Sequence, residues 1–214
     1  MKQYAVIGLG SFGNAVAKTL AEMGHEVLAV DKSEEKIHEI SDFVTHAVAG
    51  DITDVHVLNA LGLSNFDAVV IAIGTNLQAS ILATVMCKEA GAKMIVAKAQ
   101  NDVHKKVLEK IGADRVIFPE DSMGKKIAVS LASPSIMELV DIAPEVKIAE
   151  ITVFKDWYGK TLVELDLRNR KGINILMIKR GNEVFPVPSA DFRLQEGDFV
   201  IVCGSTHSVK NLTK

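Results

Sequence analysis

Three glycines near the start of the chain, Gly8, Gly10 and Gly13, have the spacing Gly-x-Gly-x-x-Gly. They follow an apolar run and open a helical pattern, and a second apolar run ends at Asp31. In a βαβ unit such glycines let the chain turn tightly, approach a phosphate and pack the helix on the strand. The helix start attracts phosphates, and the acid accepts hydrogen bonds from ribose hydroxyls. The pattern predicts a dinucleotide site; a βα turn without a ligand is the alternative.

Composition restricts the class of protein. The chain has 214 residues, 48% of them hydrophobic, enough for one large domain or two small ones. Its net charge of −3 gives no electrostatic reason to expect nucleic acid. No apolar run approaches the roughly 18 residues of a membrane span, and the start lacks a signal peptide's apolar stretch. Cys87 and Cys203 form no metal or redox motif, so we expect buried thiols in a cytosolic protein.

The first 130 residues alternate strand-like and helical patterns. Strand-like runs lie at 3–8, 26–30, 43–48, 67–73, 93–97 and 114–118. Helical patterns lie at 12–23, 33–40, 53–61, 76–90, 101–111 and 121–132. Ser33 and Thr53 are typical helix starts. The glycines placed to end helices are Gly24, Gly62, Gly91 and Gly112. Because the strand-like runs are apolar on both faces, we predict an α/β fold with a doubly wound, parallel, Rossmann-type sheet.

The pattern changes near residue 133. Ser133-Pro134-Ser135 and Ala143-Pro144 flank a short helical stretch at 136–140. Beyond it, strand-like runs at 147–153, 173–179 and 198–203 are separated by glycines and prolines. We predict a nucleotide-binding domain at 1–133, a linker or hinge helix at 134–146, and a small α+β domain at 147–214.

Groups suited to catalysis are sparse. A nicotinamide-dependent dehydrogenase needs a proton donor or acceptor beside the hydride centre. Neither Tyr4 nor Tyr158 is followed by lysine at the spacing used by short-chain dehydrogenases, and the sequence has no His-x-x-x-His or Cys-x-x-Cys pair. Three histidines on helical patterns are expected at helix surfaces: His38, His56 and His104. The sequence favours a site that binds a nucleotide and leaves it unreacted.

Several segments together resemble one family. They are 5–10 (Ala-Val-Ile-Gly-Leu-Gly), 25–31 (His-Glu-Val-Leu-Ala-Val-Asp), 72–74, 107–115, 119–120, 159–162 and 196–198. Along essentially its whole length the chain resembles the RCK or KTN regulatory subunits of Ktr- and Trk-type potassium uptake systems. The resemblance implies homodimers that assemble into octameric rings and dock, at the inner face of the cell membrane, under a subunit that conducts potassium. A nucleotide bound between paired subunits would change the ring's shape and gate the pore.

The resemblance also implies a role for each residue of the nucleotide site. Asp31 would hold the ribose, with Lys32 nearby. Asp51, together with Ile52 and Thr53, would border the adenine; the alternative is that Asp51 caps the next helix. The cleft itself would be formed by Gly8, Gly10, Ser11, Phe12, Gly13, Ala72, Ile73, Gly74, Asn76 and Gln78.

Two charged residues have both a functional and a structural interpretation. Lys98 ends the fifth strand and would reach a phosphate, or it is a solvated strand end. Glu120 matches a carboxylate that in some relatives helps to coordinate a divalent cation, Mg²⁺ or Ca²⁺, at the dimer interface. The alternative for Glu120 is a first-turn acid that the helix dipole stabilises.

The chain departs from the family pattern at Ser11. Several potassium-system members have an arginine there, which reaches the terminal phosphate of ATP in the partner subunit. A neutral hydroxyl binds a phosphate more weakly than a charged group, so this loop does not predict discrimination between ATP and ADP. Candidate substitutes are Arg115, Lys125 and Lys126. Asp31 argues against a 2′-phosphate, but it does not separate ATP, ADP, NAD and NADH.

The C-terminal module offers a second candidate site. In some relatives it binds a cyclic dinucleotide between two copies. Here Arg168 would contact a phosphate of cyclic di-AMP and Asn169 its surroundings, while Ile173 and Pro188 would pack on the bases. The alternative is a basic surface turn.

These observations favour a non-enzymatic, nucleotide-sensing gating subunit of a potassium uptake channel or transporter, with ATP, ADP, NAD or NADH as the ligand. Two alternatives stay open. One is an NAD-linked oxidoreductase with a minimal substrate domain, and the other is a standalone redox or nucleotide sensor with no membrane partner.

Overall fold

The computed structural model describes residues 1–132 and 136–213. Within them the chain forms two compact units, Met1–Glu120 and Asp121–Lys214. Each unit has its own sheet and its own core. One helix, α6 (Pro119–Ala132), spans the division between them along the chain.

The first unit is built on a six-stranded parallel sheet. Its strands are β1 (Gln3–Ile7), β2 (Glu26–Asp31), β3 (His46–Ala49), β4 (Ala68–Ile71), β5 (Ile95–Lys98) and β6 (Arg115–Ile117). Its helices are α1 (Ser11–Glu22), α2 (Glu34–Ile40), α3 (Val55–Ala60), α4 (Leu77–Glu89) and α5 (Asp102–Lys110). The strand order, β3-β2-β1-β4-β5-β6, confirms the predicted doubly wound Rossmann-type sheet.

Both faces of this sheet are buried, as its apolar strands predict. Along β1, Ala5 and Ile7 pack in one core cluster, whereas Val6 packs in another. Because side chains alternate between the faces of a strand, these clusters lie on opposite faces of the sheet. All four residues of β4 are buried. Burial also raises the pKa of the Cys87 thiol to about 12, and Cys203 is half-buried.

The helix boundaries follow local chemistry. Ser33 caps α2 as predicted, since its side chain accepts a hydrogen bond from the backbone N–H of Lys36. The start of α3 differs from the prediction: Asp54 is its cap and accepts from the N–H of His56 at 2.8 Å, whereas Thr53 bonds to Asp51. All four glycines predicted to end helices have a positive φ, which L side chains rarely adopt.

The second unit is a small α+β fold, as predicted. Its strands are β7 (Ile136–Ala143), β8 (Val146–Thr152), β9 (Ile173–Arg180), β10 (Glu183–Pro186) and β11 (Asp198–Ser205), in the antiparallel order β10-β9-β11-β8-β7. Its short helices are α7 (Leu162–Leu165), α8 (Leu167–Lys171) and α9 (Thr206–Lys210). Trp157, Ile178 and Leu194 are among the buried residues of its core.

The predicted hinge helix at 136–140 is wrong, because these residues belong to strand β7. A short apolar run has the same appearance in a strand and in a helix. Strand β8 follows after only two residues and supplies an antiparallel ladder, with Val140 opposite Ile148, that one helical turn cannot match. The division between the compact units also falls after Glu120 and not at 133. Residues 133–135 of the predicted linker lie outside the described residues.

Candidate functional site

The strand order of the first unit reverses between β1 and β4. Because all six strands are parallel, their carboxyl ends meet at one edge, and the reversal leaves a crevice there. The structure brings most of the predicted nucleotide-site segments to this edge. They are the glycine loop after β1, Asp31 at the end of β2, Asp51 after β3, residues 72–76 after β4 and Lys98 at the end of β5.

The glycine loop needs its glycines for different reasons. Gly8 has a φ of +94°, and a Cβ there would lie 3.1 Å from the carbonyl carbon of Ala72. A Cβ on Gly13 would overlap the carbonyl oxygen of Gly8. A Cβ on Gly10 would meet no atom within 4 Å. Two glycines therefore hold α1 against β1 and β4, and the third leaves open space beside the helix start, where phosphates are favoured.

Asp31 ties the end of β2 to the glycine loop. Its carboxylate accepts hydrogen bonds from the backbone N–H groups of Leu9 at 2.7 Å and Ser33 at 2.9 Å, and Lys36 Nζ lies 3.5 Å away. Burial alone would raise the pKa of Asp31, but these hydrogen bonds and the Lys36 charge outweigh it, so the pKa is lowered. An ionised carboxylate has about four acceptor positions, so capacity is left for a ribose hydroxyl.

Asp51 lies beyond the end of β3. Its carboxylate accepts from both the hydroxyl of Thr53 at 2.7 Å and its backbone N–H at 2.9 Å, and these bonds, aided by the Lys32 charge, lower its pKa. It therefore stabilises the turn before α3, while Asp54 makes the cap. Ile52, which was predicted to border the adenine beside Asp51, is buried in the core, so its side chain packs beneath the surface in the ligand-free protein.

The segment after β4 closes the other side of the crevice. Ala72 is buried against the glycine loop, and its N–H donates to the carbonyl of Ile7 at 2.7 Å. Ile73 is half-buried and packs on the core. Gly74 is exposed. Asn76 caps α4: its side-chain oxygen accepts a hydrogen bond from the N–H of Ala79 at 3.0 Å, and this bond stabilises the start of the helix.

Lys98 turns back towards the glycine loop. Its Nζ lies 5.8 Å from the centre of the Phe12 ring and forms an ion pair with Glu120 at the start of α6. The Lys98 side chain is 12% exposed and that of Glu120 is 61% exposed. The hydrogen bond from Lys98 lowers the pKa of Glu120. The pair places a poorly hydrated cation near the phosphate end of the crevice.

The edge as a whole fits a nucleotide. At one end, the start of α1 and the Lys98 ammonium offer donors and positive charge to phosphates. At the other end, the Asp31 carboxylate offers an acceptor to a ribose. Asp31 ends β2 and Lys98 ends β5, so these two residues lie on opposite sides of β1 and of the glycine loop that follows it.

The second unit contains an open groove of about 790 Å³ along α7, α8 and β9. Arg168 lines it, and so do Arg170 and Asn174. The amide of Asn169 instead donates to Asp166 at 2.7 Å. Ile173 contributes to the groove wall, and its side chain is fully buried in the core of the second unit. Pro188 is half-buried and does not line the groove.

Other chemistry is limited in the part of the chain that the structure describes. No group of three or more His, Cys, Asp or Glu side chains in residues 1–132 and 136–213 is arranged to hold a metal ion. None of the helices found there is both long and apolar enough to cross a membrane. His38 and His56 are exposed on helices as predicted. The prediction for His104 is wrong: it is buried at the start of α5, where its Nδ1 accepts from the N–H of Gln100, and burial lowers its pKa.

Two residues that were not predicted also contribute to the site. Lys36 reaches Asp31 from the first turn of α2, and Leu9 supplies the backbone donor that anchors that carboxylate. Lys36 was visible as a lysine three residues after the Ser33 cap, a spacing that brings it back over the helix start. The pairing of Lys98 with Glu120 joins residues 22 positions apart and has no local signal.

The chain matches two domain families in succession. Residues 4–119 match the TrkA-N domain and residues 148–214 match the TrkA-C domain. The Ktr system potassium uptake protein C of Bacillus subtilis (strain 168) is 46% identical over 213 residues, covering 100% of this chain and 96% of that protein. The Ktr system potassium uptake protein A of the same organism is 43% identical, covering 98% of this chain and 94% of that protein.

Solved structures share the fold. The GsuK RCK domain superposes with a TM-score of 0.70 at 19% identity, covering 99% of this chain and 47% of that one. A GsuK channel bound to NAD superposes with a TM-score of 0.69 at 18% identity, covering 97% of this chain and 38% of that one. The chain thus spans less than half the length of these structural neighbours.

Proposed function

The chain belongs to the family of potassium uptake proteins with TrkA-N and TrkA-C domains, and from this premise we propose that it is the nucleotide-sensing regulatory subunit of a potassium uptake system. One observation carries the proposal. The glycine loop, Asp31 and Lys98 meet at the switch point of the first unit, in a chain that matches Ktr proteins along its whole length. The role is non-enzymatic: the ligand is bound and exchanged, and its chemistry is left untouched.

The ligand we propose is an adenine nucleotide, bound with its phosphates at the start of α1 and its ribose at Asp31. The structural neighbours include a GsuK channel bound to NAD and a GsuK structure bound to ADP, which supports both kinds of nucleotide as candidate ligands for this fold. Ligand exchange regulates the partner only through a difference in affinity between two conformations, typically worth about 1–3 kcal/mol.

We further propose that the partner is a membrane-embedded potassium-conducting subunit and that this chain forms homodimers within an octameric ring. The ring lies at the inner face of the cell membrane and is held there by its partner. Glu120 is proposed as a ligand of a divalent cation between paired subunits, and Arg168 as a phosphate contact for cyclic di-AMP. Size-exclusion chromatography with light scattering, and co-purification with the membrane subunit, test the assembly.

Calorimetric titration tests the central proposal. Nucleotide-stripped protein is titrated with ATP, ADP, NAD and NADH, and the Asp31→Ala variant serves as the comparison. Wild type should bind at least one of these ligands, and Asp31→Ala should weaken that affinity about tenfold while the protein stays folded. Equal affinity in the two proteins contradicts the proposed site. Hydride transfer from NADH to an added substrate would favour the oxidoreductase alternative.

A further inference from the structure

The charge of Lys98 is poorly hydrated and faces the phosphate end of the crevice. Its side chain is 12% exposed, and its Nζ lies 5.8 Å from the Phe12 ring centre in the first turn of α1. The same atom lies 3.7 Å from where a Cβ on Gly74 would stand. Residues 8–13 of the loop include no basic side chain, so Lys98 supplies charge that the loop lacks.

The two members of the Lys98–Glu120 pair are unequally solvated. A largely desolvated ammonium is costly without a counter-charge, so Lys98 needs an anionic partner in the absence of ligand. Glu120 is 61% exposed, so water readily solvates its carboxylate once the pair is broken. A nucleotide phosphate at the start of α1 offers Lys98 a partner with more negative charge than one carboxylate.

We infer that Glu120 is an internal competitor for the ligand: Lys98 exchanges its bond to Glu120 for a bond to the phosphate when a nucleotide binds. This inference rests on the nucleotide site proposed above and assigns to Glu120 a task in the ligand-free protein. Lys98 and Glu120 together determine which ligands bind, because only a ligand with phosphate charge near Lys98 displaces the carboxylate. Adenosine, which has no phosphate, leaves the pair intact.

The exchange acts on a helix that leads out of the first unit. Glu120 is the second residue of α6, and the division between the compact units falls immediately after it. In the ligand-free protein the Lys98 bond fixes this first turn to the end of β5. Phosphate binding breaks this ion pair, so the first turn of α6 is bonded to the end of β5 only when the nucleotide site is empty.

The test uses the full chain in EDTA, so that no divalent cation contributes through Glu120. ADP and adenosine are titrated into wild type, Glu120→Gln, Lys98→Met and the double variant. The matched control is Glu109→Gln, which makes the same charge change in the exposed Lys105–Glu109 pair on α5. It corrects for the general effect of one added unit of positive charge on an anionic ligand.

Glu120→Gln should bind ADP about threefold to tenfold more tightly than Glu109→Gln, because the competitor is gone. Lys98→Met should bind ADP about tenfold more weakly than wild type, and adding Glu120→Gln to it should change nothing. Adenosine affinity should be the same in all five proteins. ADP affinity in Glu120→Gln that equals or falls below that of Glu109→Gln overturns the inference.

These titrations, together with the titration of Asp31→Ala under the proposed function, separate this failure from failure of the proposed function. If Asp31→Ala binds ADP more weakly than wild type while Glu120→Gln behaves as the control, the nucleotide site is supported and the competition is wrong. If wild type binds neither ADP nor NADH, the proposed nucleotide site is wrong and the inference falls with it.

Discussion

The two units each present a polar concavity, and they build it differently. At the switch point of the first unit, glycine backbone and strand ends form the crevice, and its charged groups, Asp31 and Lys98, already have partners of opposite charge. In the second unit, side chains on two short helices line the groove, and one predicted contact, Asn169, is bonded to Asp166, the residue that precedes its own helix. A site built from backbone tolerates few substitutions, whereas a site built from exposed side chains tolerates many.

The substitution with the largest expected effect is Gly13→Ala. Its Cβ would overlap the Gly8 carbonyl oxygen, so α1 must move away from the sheet, at an expected cost of about 3 kcal/mol or more in unfolding free energy. Gly10→Ala is the matched control, since its Cβ meets nothing within 4 Å, and should cost less than about 1 kcal/mol. Urea denaturation measures both. Equal losses of unfolding free energy in the two variants would contradict the proposed role of Gly13 in the close packing of α1 on the glycine loop.

In the second unit, the charged residue whose substitution should cost the most stability lies in the core and not in the groove. Asp198 has a fully buried carboxylate that accepts from Arg180 Nε at 2.7 Å, from Arg180 Nη2 at 2.8 Å and from the N–H of Gln195 at 2.8 Å. Asp198→Asn should destabilise the protein by about 2–4 kcal/mol, because it leaves Arg180 without its counter-charge. Glu150→Gln, in the more exposed Lys179 pair, should cost less than about 1 kcal/mol in the same denaturation experiment.

The pH dependence of stability provides a second test of the buried Asp198–Arg180 pair. Burial alone would raise the pKa of Asp198, but the Arg180 and Gln195 bonds outweigh it, so the folded-state pKa is lowered. Its stabilisation is therefore complete above the unfolded pKa, about 3.9, and is lost as pH falls through the lower folded value. Thermal melts between pH 7 and pH 3 should show a shallower acid loss in Asp198→Asn than in wild type. An unchanged slope would contradict the assignment of that loss to Asp198.

The smallest effect on stability is expected for Arg168→Ala, on the exposed face of α8. Unfolding free energy should change by less than about 0.5 kcal/mol, since no core contact is removed. If the groove binds cyclic di-AMP, calorimetry should show weaker binding in Arg168→Ala than in Lys171→Ala, a variant of a lysine that does not line the groove. Equal affinities would exclude Arg168 as the phosphate contact.

The sequence predicts the first unit better than the linker for a physical reason. Strands buried on both faces, such as β4, and glycines with a positive φ leave strong local signals. The run at 136–140 has no such signal, because a short apolar segment fits a helix or a strand until its neighbour is known. Backbone pairing with the neighbouring strand β8 makes this run a strand.

The candidate site divides in the same way. Sequence alone determined the glycine loop, the acid at the end of β2 and the order along the chain of the strands and helices of the first unit, because backbone geometry and apolar periodicity leave local patterns in the sequence. Tertiary structure decided which charges meet: Lys36 with Asp31, Lys98 with Glu120 and Arg180 with Asp198. It also decided that Ile52, His104 and Ile173 are buried. Such pairings and burial depend on how distant segments pack, and no local pattern specifies that packing.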